Sequence, residues 1–169
     1  LAPGRYVVAL GMRYGNPSIA TALDELRRRG IEAITVLPLY PQNSCSTTAS
    51  TLDALGEALQ RTRSVPHLRF IADYHDHPRY IQALAESVRE QWRRQQAGEK
   101  LILSFHGTPV RFRTEGDPYY HQCMKTAELL AAELALPREE WLVTFQSRFG
   151  REEWLQPYTD KTLEQLAVE

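Results

Sequence analysis

Hydrophobic residues along the chain follow two spacings, one typical of buried strands and one typical of amphipathic helices. Short apolar runs predict five β-strands, at residues 5–10, 33–37, 67–71, 101–106 and 141–145. Apolar residues that recur every three or four positions predict five helices, which begin near Pro17, Ser46, Pro78, Tyr119 and Thr159. Because strands and helices alternate, the sequence predicts βαβ units, and therefore an α/β fold whose parallel sheets carry helices on both faces.

The first helix carries clear boundary signals. Asn16 is a typical N-cap residue and Pro17 is a typical first helical residue, so together they predict a helix that begins at position 17. Gly30 follows the last apolar residue of the periodic pattern and predicts the end of the helix.

His106 stands where the fourth predicted strand ends. The apolar run before it predicts a strand buried on both faces, and Gly107 and Pro109 after it predict a turn. In an open parallel sheet, ligands bind beyond the carboxyl ends of the strands. An imidazole at such a position can accept a proton or bind a metal ion near neutral pH. The alternative is a histidine that only forms a hydrogen bond within its own loop.

The other strands are also followed by polar and aromatic loops. These loops lie at residues 12–14, 40–44, 104–109 and 146–149. Loops at the carboxyl edge of a parallel sheet often carry binding residues, so we expect the four to share one edge.

Composition places the chain among ordinary globular proteins. Its 169 residues are 43% hydrophobic and 24% charged, which suits one domain or two small ones. The 20 basic and 21 acidic residues give a net charge of -1, so no nucleic-acid partner is expected. No apolar run approaches ~18 residues, so no transmembrane segment is predicted, whereas peripheral membrane contact and self-association stay open.

The two cysteines and the two chain ends carry further information. Cys45 and Cys123 lie far apart and form no CxxC pair, which predicts a reducing, cytoplasmic setting. The chain begins at Leu1, close to a predicted strand, and ends at Glu169 within a helical pattern that lacks a Gly or Asn cap. We therefore expect the sequence to be a piece of a longer protein.

A second candidate metal site lies before the third predicted helix. His75 and His77 would face the same way in an extended segment, beside Asp73 and Asp76. These are also ordinary loop residues, and no third ligand follows at a fixed spacing. The loop interpretation is therefore favoured.

Five blocks of residues, in this order, resemble the ferrochelatases, and most closely the proteobacterial-type members. The blocks are LGMRYG at 10–15, VLPLYPQ at 36–42 with SCST at 44–47, SFHG at 104–107, GDPY at 116–119, and FQSRFG at 145–150 with WL at 154–155 and PYTD at 157–160. The resemblance runs from about Val8 to the end of the chain. Five linked blocks are far more specific than any one of them.

The resemblance implies the chelatase-like architecture, with two Rossmann-like domains and a porphyrin cleft between them. Residues 1–72 would form the later part of the first domain, and residues 73–169 the second domain, incomplete at its carboxyl end. The implied reaction is insertion of ferrous iron into protoporphyrin IX, a lyase step of haem biosynthesis that yields protohaem. Coproporphyrin is the alternative substrate.

The resemblance also implies roles for individual residues. His106 matches the active-site histidine of the family, which is catalytic and meets the metal. Arg13 and Arg148 would attract the porphyrin carboxylates or pair with acidic neighbours. The alternative for Trp154 is an anchor of the core or of a loop. Five residues fall in blocks that contribute to or border the porphyrin cleft, namely Tyr14, Gln42, Ser44, Ser147 and Trp154.

Some family features do not occur in this sequence. They are a strand and a Gly-Thr-Pro motif that precede these blocks, and a Pro-Gly-Phe block with a catalytic glutamate that follows them. Two distant cysteines do not support an iron–sulfur cluster, and no nucleotide is implied, so ferrous iron enters as the substrate metal. The alternative function is a non-catalytic tetrapyrrole-binding module. A third, a phosphate-handling hydrolase with His106 as nucleophile, is disfavoured because no Gly-rich phosphate loop follows a strand.

Overall fold

The computed structural model describes residues 4–95 and 98–168. The chain forms two units, Leu1–Asp73 and Tyr74–Glu169. Each unit contains a pair of parallel strands together with helices, so the predicted α/β fold with parallel sheets is confirmed. Within the described ranges, every helix is too short or too polar to cross a bilayer.

The first unit contains two helices and two strands: α1 (Ile19–Arg28), β1 (Ala33–Val36), α2 (Ser50–Leu59) and β2 (His67–Phe70). A π-helical turn, Cys45–Ala49, runs directly into α2. Strands β1 and β2 pair in parallel, from Ala33 opposite His67 to Val36 opposite Phe70. This arrangement confirms the predicted β1–α2–β2 unit.

Helix α1 begins two residues later than predicted. Ser18, and not Asn16, is the N-cap, because the Ser18 hydroxyl accepts a hydrogen bond from the Thr21 backbone N–H at 3.2 Å. A capping side chain satisfies one of the N–H groups that the first turn leaves without a partner. The predicted end is confirmed, since Gly30 follows the helix with a φ of 70°, a left-handed conformation that glycine adopts readily.

The prediction of a strand at residues 5–10 is wrong for the described part of the chain. A strand is held by hydrogen bonds to a neighbour, and among the described residues β1 and β2 pair only with each other. The apolar side chains of this segment are therefore exposed, namely those of Tyr6, Val7, Val8 and Leu10. Apolar composition suits a sheet, but the pairing partner decides whether a strand forms.

The described residues of the second unit form four α-helices and two strands: α3 (Pro78–Arg94), β3 (Leu101–His106), α4 (Val110–Thr114), α5 (Tyr119–Glu133), β4 (Trp141–Gln146) and α6 (Thr159–Leu166). Strands β3 and β4 pair in parallel, from Leu101 opposite Trp141 to His106 opposite Gln146. The helices predicted to begin near Pro78, Tyr119 and Thr159 are confirmed.

Strand β4, and not β3, is the buried strand of this unit. The core combines residues of α5, of β4 and of the segment after β4, namely Cys123, Ala127, Ala131, Trp141, Val143, Phe145 and Leu155. Along β3, Ser104 and His106 are exposed and the other side chains are partly buried. The prediction that β3 is buried on both faces is therefore wrong. Because Ser104 and His106 are two residues apart, they lie on the same face of the strand.

Three hydroxyl groups connect the two strands to the start of α6. The Ser104 Oγ lies 2.9 Å from the Thr159 Oγ1, and the Thr159 hydroxyl donates to the Thr144 Oγ1 at 2.9 Å. Thr144 is fully buried. The first residue of α6 is thus fixed to both β3 and β4.

Candidate active site

Strands β3 and β4 end at the same level of their sheet. His106 lies opposite Gln146, and the Gly107 N–H donates to the Gln146 carbonyl at 2.7 Å, which extends the pairing by one residue. The segments 107–109 and 147–150 therefore leave the sheet at the same carboxyl edge. This is the edge at which parallel sheets bind ligands.

His106 presents its imidazole at this edge. The side chain is exposed, and its Nδ1 lies 2.7 Å from the Gly107 carbonyl oxygen. A carbonyl oxygen can only accept, so Nδ1 must carry the proton of this hydrogen bond. The neutral ring then keeps its lone pair on Nε2, which accepts no hydrogen bond from the described residues. Nε2 is therefore the atom that can take a proton or bind a metal ion.

Gly107 is required by close packing. A Cβ at this position would lie 2.9 Å from the Gln146 carbonyl oxygen and 3.2 Å from the Trp154 Cε3. The first distance is too short for a carbon atom, and the second is tight. Only glycine lets the indole pack directly against the backbone next to His106.

Trp154 is buried beside this glycine, with 6% of its surface exposed. Backbone hydrogen bonds fix its segment on both sides, from Val110 N to Glu153 O at 2.9 Å and from Leu155 N to Thr108 O at 3.0 Å. The indole Nε1 is buried and has no hydrogen-bond partner among the described residues. A buried N–H without a partner is unusual and costs stability.

Phe149 adds an exposed aromatic ring to the same edge. Its ring centroid lies 4.8 Å from that of Trp154, and 75% of its surface is exposed. Phe149 thus packs against the buried Trp154 and presents an exposed apolar ring in the loop after β4.

Ser147 and Arg148 occupy the turn after β4. Ser147 has a φ of 67°, a conformation that is uncommon for residues other than glycine. Arg148 pairs with both carboxylate oxygens of Asp160, at 2.7 and 2.8 Å, and its guanidinium lies 4.0 Å from the centroid of the Tyr158 ring. The hydrogen bonds from Arg148 lower the pKa of Asp160 to about 2. Of the two predictions for Arg148, pairing with an acidic neighbour is confirmed.

Tyr119 is a residue of this site that sequence reasoning interpreted only as the start of a helix. Its hydroxyl donates to the His106 carbonyl at 3.0 Å and also forms a hydrogen bond with the Cys123 side chain. Burial raises the pKa of the Tyr119 hydroxyl, and burial raises the pKa of the Cys123 thiol to about 12. The available signal was the GDPY block, which ends at Tyr119.

Comparison with known protein families identifies the family of this chain. The family model described as ferrochelatase matches residues 2–169. The chain belongs to the ferrochelatase family. The resemblance carried by the five sequence blocks is therefore confirmed.

Curated ferrochelatases share more than half of their aligned residues with this chain. The ferrochelatase of Nitrosococcus oceani is 56% identical over 95% of this chain and 44% of its own length. That of Vibrio cholerae is 54% identical over 94% of this chain and 50% of its own length. Ferrochelatase 1 of Shewanella oneidensis is 56% identical over 94% of this chain and 48% of its own length. The chain thus spans about half the length of the curated relatives it matches.

The residues that the resemblance to ferrochelatases assigns to the porphyrin cleft are divided between the two units. His106, Ser147 and Trp154 lie at the carboxyl edge of the second sheet, as described above. Tyr14, Gln42 and Ser44 belong to the first unit.

Within the first unit, Tyr14 differs from Gln42 and Ser44 in exposure. Tyr14 is 76% exposed, and its hydroxyl lies 3.2 Å from the Ser50 Oγ at the start of α2. Gln42 and Ser44 are buried, and Ser44 caps the π-helical turn by accepting a hydrogen bond from the Ser46 N–H at 3.3 Å.

Arg13, like Tyr14, is fixed to the start of α2. The Arg13 Nε donates to both the carbonyl oxygen and the Oγ of Ser50 at 2.9 Å. The guanidinium also lies 4.7 Å from the centroid of the Tyr14 ring. Of the two alternatives for Arg13, the described residues do not show pairing with an acidic neighbour. Its partners there are Ser50 and the Tyr14 ring.

His77 has a structural role. Its Nδ1 accepts a hydrogen bond from the Arg79 N–H at 3.3 Å, so the side chain is the N-cap of α3. The His75 carbonyl accepts a hydrogen bond from the Thr126 hydroxyl at 2.8 Å, which ties this segment to α5. The cap formed by the His77 imidazole supports the loop interpretation for that residue, whereas the His75 contact involves only its backbone.

Proposed function

We propose that the protein containing this chain is a ferrochelatase that inserts Fe(II) into protoporphyrin IX to form protohaem. Family membership supports the reaction class. The observation that carries the proposal is the exposed His106, whose Nε2 lone pair stands at the carboxyl edge of a parallel sheet beside Trp154 and Phe149.

The reaction needs a group that can accept protons and a group that can ligate the metal. Fe(II) replaces two pyrrole N–H protons, so two N–H bonds break, iron–nitrogen bonds form and two protons leave. A neutral imidazole can accept a proton near neutral pH, and it can also ligate Fe(II). The single lone pair of a neutral imidazole cannot bind a proton and Fe(II) at the same time. We therefore assign Nε2 of His106 to the two tasks in succession, with Fe(II) as substrate metal.

The aromatic surface of the second unit fits a flat, apolar macrocycle. Phe149 offers an exposed ring, tilted by 52° to the buried ring of Trp154, and the Trp154 N–H is a buried donor without a partner among the described residues. A flat porphyrin hides its nitrogen lone pairs, so bending it assists insertion. Such strain typically amounts to ~1–5 kcal/mol and is offset by binding the rest of the macrocycle.

We extend the proposal to the remaining residues of the resemblance. Tyr14, Gln42, Ser44 and Ser147 contribute to or border the porphyrin site, and residues 1–72 and 73–169 belong to two Rossmann-like domains. Two separate free cysteines, Cys45 and Cys123, support a reducing, cytoplasmic setting.

Absorbance titration tests the proposal directly. The chain, expressed with any residues that flank it in its native reading frame, is titrated with protoporphyrin IX, and Fe(II) is then added without oxygen. We expect porphyrin binding followed by the Soret shift of haem. Coproporphyrin, titrated in parallel, should bind more weakly. Binding without the shift would favour the tetrapyrrole-binding module, and no binding would contradict both.

His106→Ala is the decisive variant. We expect it to bind protoporphyrin but to lose insertion, because Nε2 is gone and the aromatic surface remains. His121→Ala, which removes an exposed imidazole from α5, is the matched control and should retain full activity. Retained turnover in His106→Ala would overturn the role of His106.

A further inference from the structure

The peptide group between His106 and Gly107 is held at both ends. Its carbonyl oxygen accepts a hydrogen bond from the Tyr119 hydroxyl at 3.0 Å, and its N–H donates to the Gln146 carbonyl at 2.7 Å. A peptide group is planar and rigid. Two hydrogen bonds at opposite edges of this planar group therefore fix its orientation.

This orientation controls the imidazole of His106. The ring donates from Nδ1 to the carbonyl of Gly107, the residue immediately after the held peptide group. Glycine has unusual backbone freedom, so its carbonyl could take many directions if the peptide group before it rotated. Fixing the His106–Gly107 peptide group restricts the directions that the Gly107 carbonyl can take. In the structure, this carbonyl lies 2.7 Å from the His106 Nδ1. The same hydrogen bond keeps the lone pair on Nε2.

Tyr119 is itself held in place by its neighbours. Its backbone N–H donates to the Asp117 Oδ1 at 2.9 Å, at the start of α5. The hydroxyl donates its one hydrogen to the His106 carbonyl at 3.0 Å. Hydrogen bonds therefore fix both the backbone and the hydroxyl of Tyr119.

We propose that Tyr119 is a positioning residue for His106, and that it selects the imidazole tautomer with its lone pair on Nε2. This inference rests on the proposed iron-insertion function for its catalytic consequence. Its structural consequence, the tautomer of His106, does not depend on that function.

The first test is the kinetics of Tyr119→Phe, in the chain with its native flanking residues. The variant keeps the ring and removes only the hydroxyl. We expect kcat for Fe(II) insertion to fall by about 3- to 10-fold, the effect of one neutral hydrogen bond. KM for protoporphyrin should stay within about twofold, since Tyr119 contacts the backbone of His106 and not the proposed aromatic surface. An unchanged kcat would overturn the proposal.

The second test reads the tautomer itself. In protein labelled with 15N-histidine, protonated and unprotonated ring nitrogens have well separated shifts, and His106→Ala identifies the His106 signals. We expect Nδ1 to be protonated in the native protein at a pH where the ring is neutral. Tyr119→Phe should move both ring signals toward a mixture of tautomers. Unchanged shifts would overturn the proposal even if kcat fell, because the loss would then act through the fold.

One control variant and one measurement on the native protein make the outcome decisive. Tyr120→Phe removes the neighbouring hydroxyl, while its ring stays stacked on Phe145 at 5.9 Å, and it should change neither readout. If Tyr119→Phe does not fold, the native protein still decides the question, because a His106 ring protonated on Nε2 and not on Nδ1 would overturn the proposal. If the native protein inserts no iron, the proposed function fails while the ring shifts still decide the role of Tyr119.

Discussion

Cys123 illustrates how burial acts on a single titratable residue. Its side chain is fully buried in the core of the second unit, and burial raises the pKa of its thiol from 9.0 to about 12. A thiol that stays protonated is a poor nucleophile and a poor metal ligand. Cys123 therefore acts as a core residue, in contrast with the exposed Cys45.

The raised pKa of Cys123 predicts a loss of stability at alkaline pH. The thiol ionises in the unfolded chain from about pH 9, but in the folded chain only near pH 12, so stability falls as pH rises through this interval. Urea unfolding at several pH values should show this fall. Cys123→Ala should reduce its slope, whereas Cys45→Ala should not. An equal slope in Cys123→Ala would contradict the prediction.

Sequence patterns were informative about His106 but not about its surroundings. A histidine after an apolar run, followed by Gly and Pro, was enough to place it at the end of β3. Its contact with Tyr119 joins residues 13 positions apart, and no periodicity encodes it. The partnership of Arg148 with Asp160 was one of two open alternatives, because side-chain pairing depends on how the loop after β4 meets α6.

Among the secondary-structure elements, helix α1 shows where local signals compete. Asn16–Pro17 and Ser18 are both plausible starts by composition. The structure selects Ser18, whose hydroxyl reaches Thr21 N. Propensity alone could not decide between them, since each residue is favourable at the position that it would occupy.

The cap of α1 can be tested by substitution. Ser18→Ala removes the hydrogen bond to Thr21 N and should lower the free energy of unfolding by about 1 kcal/mol. Asn16→Ala, the control, should change it by less than about 0.5 kcal/mol. Chemical unfolding of both variants measures the difference. A larger loss in Asn16→Ala would restore the original boundary.

The connection between the loop after β4 and α6 depends on the Arg148–Asp160 pair. The pKa of Asp160 is lowered from 3.8 to about 2 by the Arg148 hydrogen bonds, so its contribution is present above pH 3.8 and is lost as pH falls toward 2. Asp160→Asn should be less stable than the native protein at neutral pH, and the difference should shrink over that interval. Acid titration of both proteins, followed by circular dichroism, checks this. A constant difference would argue against the pair.

For the whole molecule, the alternation of strands and helices was sufficient to predict a parallel α/β fold. The absence of a strand at residues 5–10 of the described chain was not predictable, because an apolar run does not specify whether a partner strand lies beside it. The relative burial of β3 and β4 was also not predictable. Both runs are apolar, and only the packing of α5 and the segment around Leu155 distinguishes them.

The core of the second unit should respond strongly to truncation. Phe145 is 2% exposed and packs among α5 and β4, so Phe145→Ala should lower the free energy of unfolding by about 3–5 kcal/mol. Phe149→Ala removes the same ring from an exposed position and should cost less than about 0.5 kcal/mol. Urea unfolding compares the two. Similar losses would mean that the loop after β4 belongs to the core.

The close approach at Gly107 has a consequence for the evolution of this protein. A Cβ added there would lie 2.9 Å from the Gln146 carbonyl oxygen and 3.2 Å from the Trp154 Cε3, so a shift away from one atom is blocked by the other. A saturation library at this codon should return glycine alone among functional clones. At His106, the preceding residue, the same kind of library should return histidine alone, because the proposed chemistry needs its imidazole. Selection at these two adjacent codons would then act for opposite reasons, on the absence of a side chain at one and on the chemistry of a side chain at the other.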